Sequence, residues 1–388
     1  MSSHIVKNSK ACVISIFFIF LLTACSGFFE KDNTPTPTPL AHFTPEVTPQ
    51  LLWSTKVGEG TPADDYLKMS PTLGETAVFT ASNNGTITAL NKTNGRINWQ
   101  TNLRLPVTTG PGVGDGIVVV GCHHGDIIAL QQASGRELWK RTVPGEVIAK
   151  PAIGSGIVIV KAVDGYTRAL SIRDGHELWA FQQVEPNLIL RGSSAPLIRD
   201  HHVVVGYANG NLAKLSLQDG QLLWLQTVAI PEGAFAIQRM IDIDADPILF
   251  EHHLYVATYQ GKISSLDWTS GRILWTHDIS SYTGMIADDT TVYISDARGL
   301  VWAFSADSGL VSWRQNRLEY RIVSGPALMG NYIVIGDAEG YLHWLGKRDG
   351  HFAARVHLGS AIYTAPIVEN NIIYTLTNNG YLAAYTLR

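Results

Sequence analysis

Cysteine is nearly missing from this 388-residue chain, which holds only Cys12, Cys25 and Cys122. A fold stapled by disulfides is therefore excluded. A basic surplus is missing too: 29 Lys and Arg stand against 33 Asp and Glu, for a net charge of −4. That balance argues against nucleic acid as a partner and against polybasic docking on a membrane. No apolar run is long enough to span a bilayer as a helix, which takes roughly 20 residues. The Gly-x-Ser-x-Gly signature of a nucleophile elbow is absent. The glycine-rich run 110–116 lacks the Lys-Ser/Thr of a phosphate loop and reads as a strand with a turn. Carboxylates such as Asp288 and Asp289 are scattered through turns, with no spacing that pairs them. What the chain does have is apolar content: 45% hydrophobic and 16% charged residues, enough for a large core.

The N-terminus is organised differently from the rest. Lys7 and Lys10 precede the apolar run 11–22, and Leu22-Thr23-Ala24-Cys25 follows. A basic start, a short apolar stretch and small residues make a signal peptide over 1–24. Ending in cysteine, it resembles the lipobox of bacterial lipoproteins. That resemblance implies cleavage before Cys25, acylation of Cys25 and insertion of its acyl chains into lipid. Ser26, where aspartate would signal retention, favours the outer membrane. Loss of residues 1–24 removes two lysines and no acids, so 27 bases would face 33 acids. Cys122 would then be the only free thiol, and its place in a strand predicts a buried structural role. Residues 25–50 are polar and proline-rich, including Thr34-Pro35-Thr36-Pro37-Thr38-Pro39. Such a run favours extended conformations and predicts a tether between lipid and body.

From 51 to 388 the chain repeats. Glycines at 85, 125, 165, 210, 261, 299, 340 and 380 each open an alternating apolar segment. Fourteen residues earlier stands proline in seven of eight units, with Met285 in the sixth. Fourteen residues later stands tryptophan in six units, with Ala354 in the seventh. Each unit reads as four short strands joined by tight turns such as Asn84-Gly85, which accept the positive φ of a hairpin. Four strands recurring at about 40 residues describe a β-propeller blade. Proline, which cannot donate to a ladder, places the first strand at the inner edge. Tryptophan on the outer strand is large enough to pack between blades. The eighth unit ends after three strands, while Leu51-Leu52-Trp53-Ser54 is an orphan tryptophan strand. The expectation is all-β: an eight-bladed propeller of four-stranded antiparallel blades, its last blade closed by the N-terminal strand.

Length varies only between one blade's tryptophan and the next blade's first strand. The steps are 18, 12, 12, 17, 23, 10, 13 and 12 residues. Three connections are therefore long: 54–70, 180–195 and 225–246. In a propeller they share a face with the Asn-Gly turns. The second and third flank the fourth blade. One carries Leu188, Leu190 and Arg191 in the stretch VEPNLILRGSSAP; the other carries Asp242, Asp244 and Asp246. An apolar anchor beside charges is the composition of an interface hot spot. The first connection, with Tyr66, Leu67 and Met69, lies across the ring, and its composition assigns it no role. His123-His124, His201-His202 and His252-His253 invite a metal reading. They fall on opposite faces, and adjacent residues in extended chain point apart. Solvated turn histidines are the better account, and neither metal nor cofactor is expected.

Two family resemblances bear on function. The unit A-L-x-x-x-x-G-x-x-x-W is similar to the repeat of quinoprotein dehydrogenases, eight-bladed enzymes that bind pyrroloquinoline quinone. Those often carry a vicinal disulfide at the cofactor, which one body cysteine cannot make. A second resemblance is closer and runs from the lipobox to the C-terminus. Phe43-Thr44-Pro45, Leu190-Arg191-Gly192-Ser193-Ser194-Ala195-Pro196, Asp242-Ile243-Asp244 and Glu339-Gly340-Tyr341-Leu342-His343-Trp344 resemble the BamB family. These are lipoproteins of the machinery that assembles β-barrels into the outer membrane. The resemblance implies a scaffold without catalysis, on the periplasmic face of that membrane in a Gram-negative bacterium. It implies docking on the POTRA domains of a BamA-like barrel protein, and indirect association with the other subunits. Matched by motif, the contact residues fall on Leu188, Leu190, Arg191, Asp242 and Asp244. A propeller binding a small ligand at its channel mouth is the remaining alternative.

Overall fold

The computed structural model describes residues 35–61, 67–190 and 192–388, and the compact body runs from Pro37 to Arg388. Among these residues the strands form eight four-stranded antiparallel sheets, the blades of an eight-bladed β-propeller. The first blade is Thr72–Leu73, Ala77–Ala81, Thr86–Asn91 and Ile97–Asn102. Six more follow in chain order. The eighth combines Ile367–Glu369, Ile372–Leu376 and Tyr381–Leu387 with the N-terminal strand Pro49–Lys56. The ring is thus closed by pairing the first strand with the last, which leaves no open end blade. Among the described residues the only helical turn is the 3-10 segment Ala236–Arg239.

One detail of register shows that the closing strand is a true member of the repeat. In the first blade Trp99 faces Ala89 and Ile97 faces Leu90, so Asn98 is bulged out. The same bulge, one residue before tryptophan, recurs at Leu138 and Leu178. In the eighth blade Leu51 faces Tyr385 and Trp53 faces Ala384, which bulges Leu52. A bulge sharpens local twist, so each outer strand turns its tryptophan toward the next blade. There the indole lies on the glycine of the next blade's outer turn. A Cβ on Gly95 would meet the Trp53 ring at 2.4 Å, which is why glycine recurs there. The indole N–H then donates to a backbone carbonyl of that next blade: Trp53 to Lys92 (3.1 Å), Trp139 to Ile172 (2.9 Å), Trp275 to Ala306 (2.7 Å). Trp224 is an exception, with no acceptor for Nε1 among the described residues. In its neighbouring blade the Trp268 carbonyl is taken by the Lys214 ammonium (2.9 Å), which also sits over the Trp268 ring. In the seventh blade Ala354 pairs with Trp344, and this fully buried indole fills the seam from the third strand instead.

The prolines stand one residue before the innermost strands rather than inside them, as Pro111 before Gly112–Gly114 and Pro247 before Ile248–Phe250. With three residues to pair, that strand needs no donor from the residue preceding it. The apolar core is a series of inter-blade seams. Trp53, Val57, Val78, Leu90, Tyr374 and Leu382 form the seam that closes the ring. Cys122 is buried, and burial together with Asp126 pushes its thiol up to about 12, so it is an inert packing group.

The tether expectation covered 25–50. Cys25 lies outside the described residues, but the later part of the segment is docked on the seventh blade as a strap. Thr38 N–H bonds Glu319 O and Glu46 N–H bonds Ala353 O. Ala41 is buried, and Phe43 stacks on Phe352 at 5.6 Å. Beneath the strap is a buried polar network. Asp337 Oδ2 accepts from Arg321 Nε (2.8 Å) and His343 Nε2 (2.9 Å), and Oδ1 accepts the Tyr341 N–H (2.8 Å). Arg321 and Arg355 reach out to the Thr38 and Ala41 carbonyls at 3.0 and 3.2 Å.

Candidate functional site

Connections 180–195 and 225–246 flank the fourth blade and meet each other beside the mouth of the channel. The second is built on alternation. In the run from 242 to 246, Ile243 and Ala245 are buried in the blade seams flanking the fifth blade. Period two then turns Asp242, Asp244 and Asp246 the other way, toward the first connection. Their carboxylates pin it. Asp242 Oδ1 accepts the Leu190 N–H at 3.1 Å, and Asp246 Oδ1 accepts the Ala195 N–H at 2.8 Å. The Ser194 N–H bonds Ile243 O at 3.3 Å. At the other end Glu185 Oε2 accepts from Ala208 N–H, and Asn209 Nδ2 donates to Val184 O, both at 2.9 Å. Ala208 and Asn209 belong to the fourth blade's turn between second and third strands, so the connection lies on that face, as spacing predicts.

What is held this way is an apolar display. Leu188 is 45% exposed and Val184 is more exposed still, while Leu190 is half-buried. Arg191 lies outside the described residues. The aspartates depart from expectation. Read as charges beside the apolar anchor, Asp242 and Asp244 are in fact 2% and 3% exposed. They sit beneath the loop as its anchors, because the intervening Ile243 and Ala245 draw the whole run into the seams.

Among the described residues, burial dominates the electrostatics of Asp242 and Asp244. Burial, then the neighbouring Asp244 charge, pushes Asp242 up to about 7, against the pull of the Leu190 N–H and Lys161. Its Oδ2 has no hydrogen-bond partner among the described residues. Burial likewise raises Asp244 to about 6, opposed by Lys68 and Lys161. For Asp246 burial again pushes upward, but Lys68, Lys150 and the Ala195 N–H outweigh it and the carboxyl is lowered. The buried cation among these groups is Lys161, at the end of Ile157–Lys161 in the third blade. Its ammonium donates to Gly206 O at 2.7 Å, lies 3.5 Å from Glu185, and sits over the Tyr207 ring at 5.0 Å. Burial lowers its pKa, while Glu185, Asp244 and Asp242 work against that.

Two features were not read from the sequence. Connection 225–246 carries an apolar knob, with Ile230 72%, Phe235 68% and Ile237 62% exposed around the turn Ala236–Arg239. Gln238 Oε1 holds the turn by accepting the Ala234 and Phe235 N–H groups. Gln260 ties Ile237 O to the fifth blade at 3.2 Å. The signal was present in 230–237, IPEGAFAI, where three large apolar residues stand in a connection rather than a strand. The other is a cavity of about 480 Å3 at the channel mouth, lined by Met69, Leu190, Asp244, Tyr259, Tyr282 and Tyr363 among others. The histidine pairs fall in three different blades; His123 is 3.1 Å from Glu146, and His253 bonds Ser265. Among the described residues no three His, Cys, Asp or Glu side chains gather as a metal site.

Comparison with known proteins fits this architecture. The family model described as outer membrane protein assembly factor BamB matches residues 83–315. A BamB from Legionella pneumophila is 43% identical over 352 residues, covering 91% of this chain and 92% of the relative. One from Alkalilimnicola ehrlichii is 44% identical and covers 98% of each. The Escherichia coli BamB is 30% identical over 388 residues. Among solved structures, BamB from Moraxella catarrhalis superposes with a TM-score of 0.81 at 27% identity, covering 87% of this chain and all of that one. The quinohemoprotein alcohol dehydrogenase of Comamonas testosteroni reaches 0.69 at 13% identity, a likeness of fold alone. A whole-length match to relatives of one name, on an eight-bladed ring, places this chain in the BamB family of outer membrane protein assembly factors.

Proposed function

We propose that the protein is a non-enzymatic scaffold lipoprotein, acylated at Cys25 and held at the periplasmic face of the outer membrane. It docks on the POTRA domains of a BamA-like barrel protein and assists the folding and insertion of outer membrane proteins. The observation that carries the docking surface is the pinned connection 184–196. An exposed leucine stands on a loop whose backbone is bonded at Leu190 to the buried Asp242 and at Ala195 to the half-exposed Asp246. Pre-organised apolar residues bind with less ordering cost than a free loop would. In this reading Leu188, Leu190 and Arg191 meet the partner, with the knob at Phe235 beside them. Asp242 and Asp244 act from beneath, by fixing the loop.

The test is co-purification from solubilised outer membrane. Leu190→Ala with Arg191→Ala is expected to abolish recovery of the barrel protein while the ring stays folded. Undiminished recovery by a folded double variant would reject this surface. Cys25→Ser is expected to move the protein from the membrane to the soluble periplasmic fraction. One observation, the 480 Å3 cavity at the channel mouth, favours a second reading as a small-ligand-binding propeller. Saturable binding of a small ligand that is lost on Tyr259→Ala would support it.

A further inference from the structure

We infer that Lys68, reaching over the channel mouth from the opposite side of the ring, is a positioning residue for the docking connection 184–196. Connection 54–70 enters the ring between the eighth and first blades. Connection 225–246 lies between the fourth and fifth, four blades away and therefore diametrically opposite. Yet Lys68 Nζ donates to Asp244 O at 2.5 Å and lies 3.5 Å from Asp246 Oδ1. The local chain explains how. Leu67 and Met69 are buried in the seam of the first and second blades. A three-residue turn closed by Met69 N–H on Leu67 O (2.9 Å) puts Lys68 at its corner. The two apolar neighbours anchor the base and the lysine stem is left to span the mouth, with its ammonium largely covered.

The contact lies on the anchors of the docking loop and not on the blades. Asp246 Oδ1, which meets the Lys68 ammonium, is the same atom that accepts the Ala195 N–H. Asp244, whose carbonyl Lys68 holds, is two residues from Asp242, which accepts the Leu190 N–H. A cation there opposes the mutual repulsion of three carboxylates in five residues and keeps the run in place. Closing the ring does not require it, since Pro49–Lys56 and the Trp53 seam already do so. The extra length of connection 54–70 therefore acquires a function: it turns two neighbouring loops and one distant loop into a single docking assembly.

This inference rests on the docking reading for its consequence but not for its first measurement. Lys68→Met keeps the stem and removes the charge; Lys68→Arg keeps the charge. In the full-length mature protein, amide hydrogen exchange over 186–195 is expected to accelerate about tenfold in Lys68→Met, the loss of a charge-assisted bond. Lys68→Arg should restore most of that protection, and the strap at 38–48 should be unchanged in both. Affinity for a soluble POTRA array of the barrel protein, measured by calorimetry, should fall about tenfold in Lys68→Met and recover in Lys68→Arg. Unchanged exchange over 186–195 in Lys68→Met would overturn the positioning role. A uniform acceleration across all blades would overturn it too, by showing a general structural role. Should the wild type fail to bind the array while the exchange pattern holds, the docking reading falls and the strut stands. Asp246→Asn provides a second variant. Its effect on exchange should not add to that of Lys68→Met, and full additivity would also reject the coupling.

Discussion

Asp337 under the strap and Asp242 under the docking loop are both almost wholly buried, yet their carboxyls are driven in opposite directions. Burial pushes Asp337 upward, but His343, the Tyr341 N–H and Arg321 more than offset it, so it is lowered. Asp242 is left at about 7, with one oxygen bonded among the described residues and a like charge beside it. The difference lies in donors, not in depth. Blade seven supplies an arginine, an imidazole and an amide around one carboxylate. Among the described residues, the fourth and fifth blades bring three carboxylates together with only partial compensation. The better-supplied carboxylate lies beneath the strap, which Arg321 and Arg355 tie down. The connection proposed to meet a partner rests, among the described residues, on the less compensated carboxylates.

The largest effect should come from breaking the satisfied side. Asp337→Ala removes the acceptor shared by Arg321 Nε and His343 Nε2, leaves Arg321 with Glu339 alone as its counter-charge, and is expected to cost about 3–5 kcal/mol. Denaturant unfolding would measure it, and limited proteolysis should cut the strap at 38–48 first. The same truncation on the strained side should behave otherwise. Asp242→Asn retains an acceptor for the Leu190 N–H and removes a charge whose folded pKa is raised. Between about pH 4 and 7 the folded protein holds a proton on Asp242 that the unfolded chain releases. Stability from this group is therefore greatest near pH 4 and declines as pH rises through 7. The variant lacks that decline. It should match the wild type at pH 4 and exceed it at pH 8 by an amount on the order of a few kcal/mol. His343, lowered by burial, contributes the opposite slope from the strap side in both proteins and cancels, so the difference curve reports Asp242 with the Asp244 carboxyl coupled to it. A difference that does not grow with pH would mean that Asp242 carries no raised pKa. Asp244 and Lys161 act on Asp242 directly, and Lys68, Asp246 and Glu185 act on its neighbour Asp244, in both proteins.

The ring itself was legible because its signals are local and repeated. Glycine at an outer turn, tryptophan fourteen residues after the inner glycine and an apolar pair in each second strand recur in a fixed frame. Even the closure could be counted, since Trp53 lacked a blade and the eighth unit lacked a tryptophan. The long connections were legible through length alone. What length cannot tell is which way a side chain turns. Asp242 and Asp244 read as surface charge because aspartate usually is; the apolar residues between them, Ile243 and Ala245, decided their burial. Lys68 was beyond reach for another reason: its partners lie 176 and 178 residues away, and no periodicity links them. The strap was hidden by its proline-rich start, although Phe43 was already an apolar residue in a polar tether.

Two phenylalanines offer the finest version of the comparison. Phe43 stacks on Phe352 and lies under the Arg355 guanidinium at 5.0 Å. Phe235 stands largely in solvent on a one-turn knob. Truncating Phe43 removes packing that the folded protein uses by itself. Phe43→Ala should therefore loosen the strap by about 1–2 kcal/mol, read as faster hydrogen exchange at Thr38 and Glu46. Truncating Phe235 removes packing that the isolated protein does not use. Phe235→Ala should leave stability within about 0.5 kcal/mol of wild type. Its effect should emerge only with the partner present, as a loss of affinity of about 1–2 kcal/mol, the scale of an exposed aromatic that becomes buried at an interface. The two variants are expected to be complementary, one silent in binding and the other silent in folding. If Phe235→Ala were silent in both, the knob would lie outside the interface, and docking would fall to the pinned loop at Leu188 and Leu190 alone.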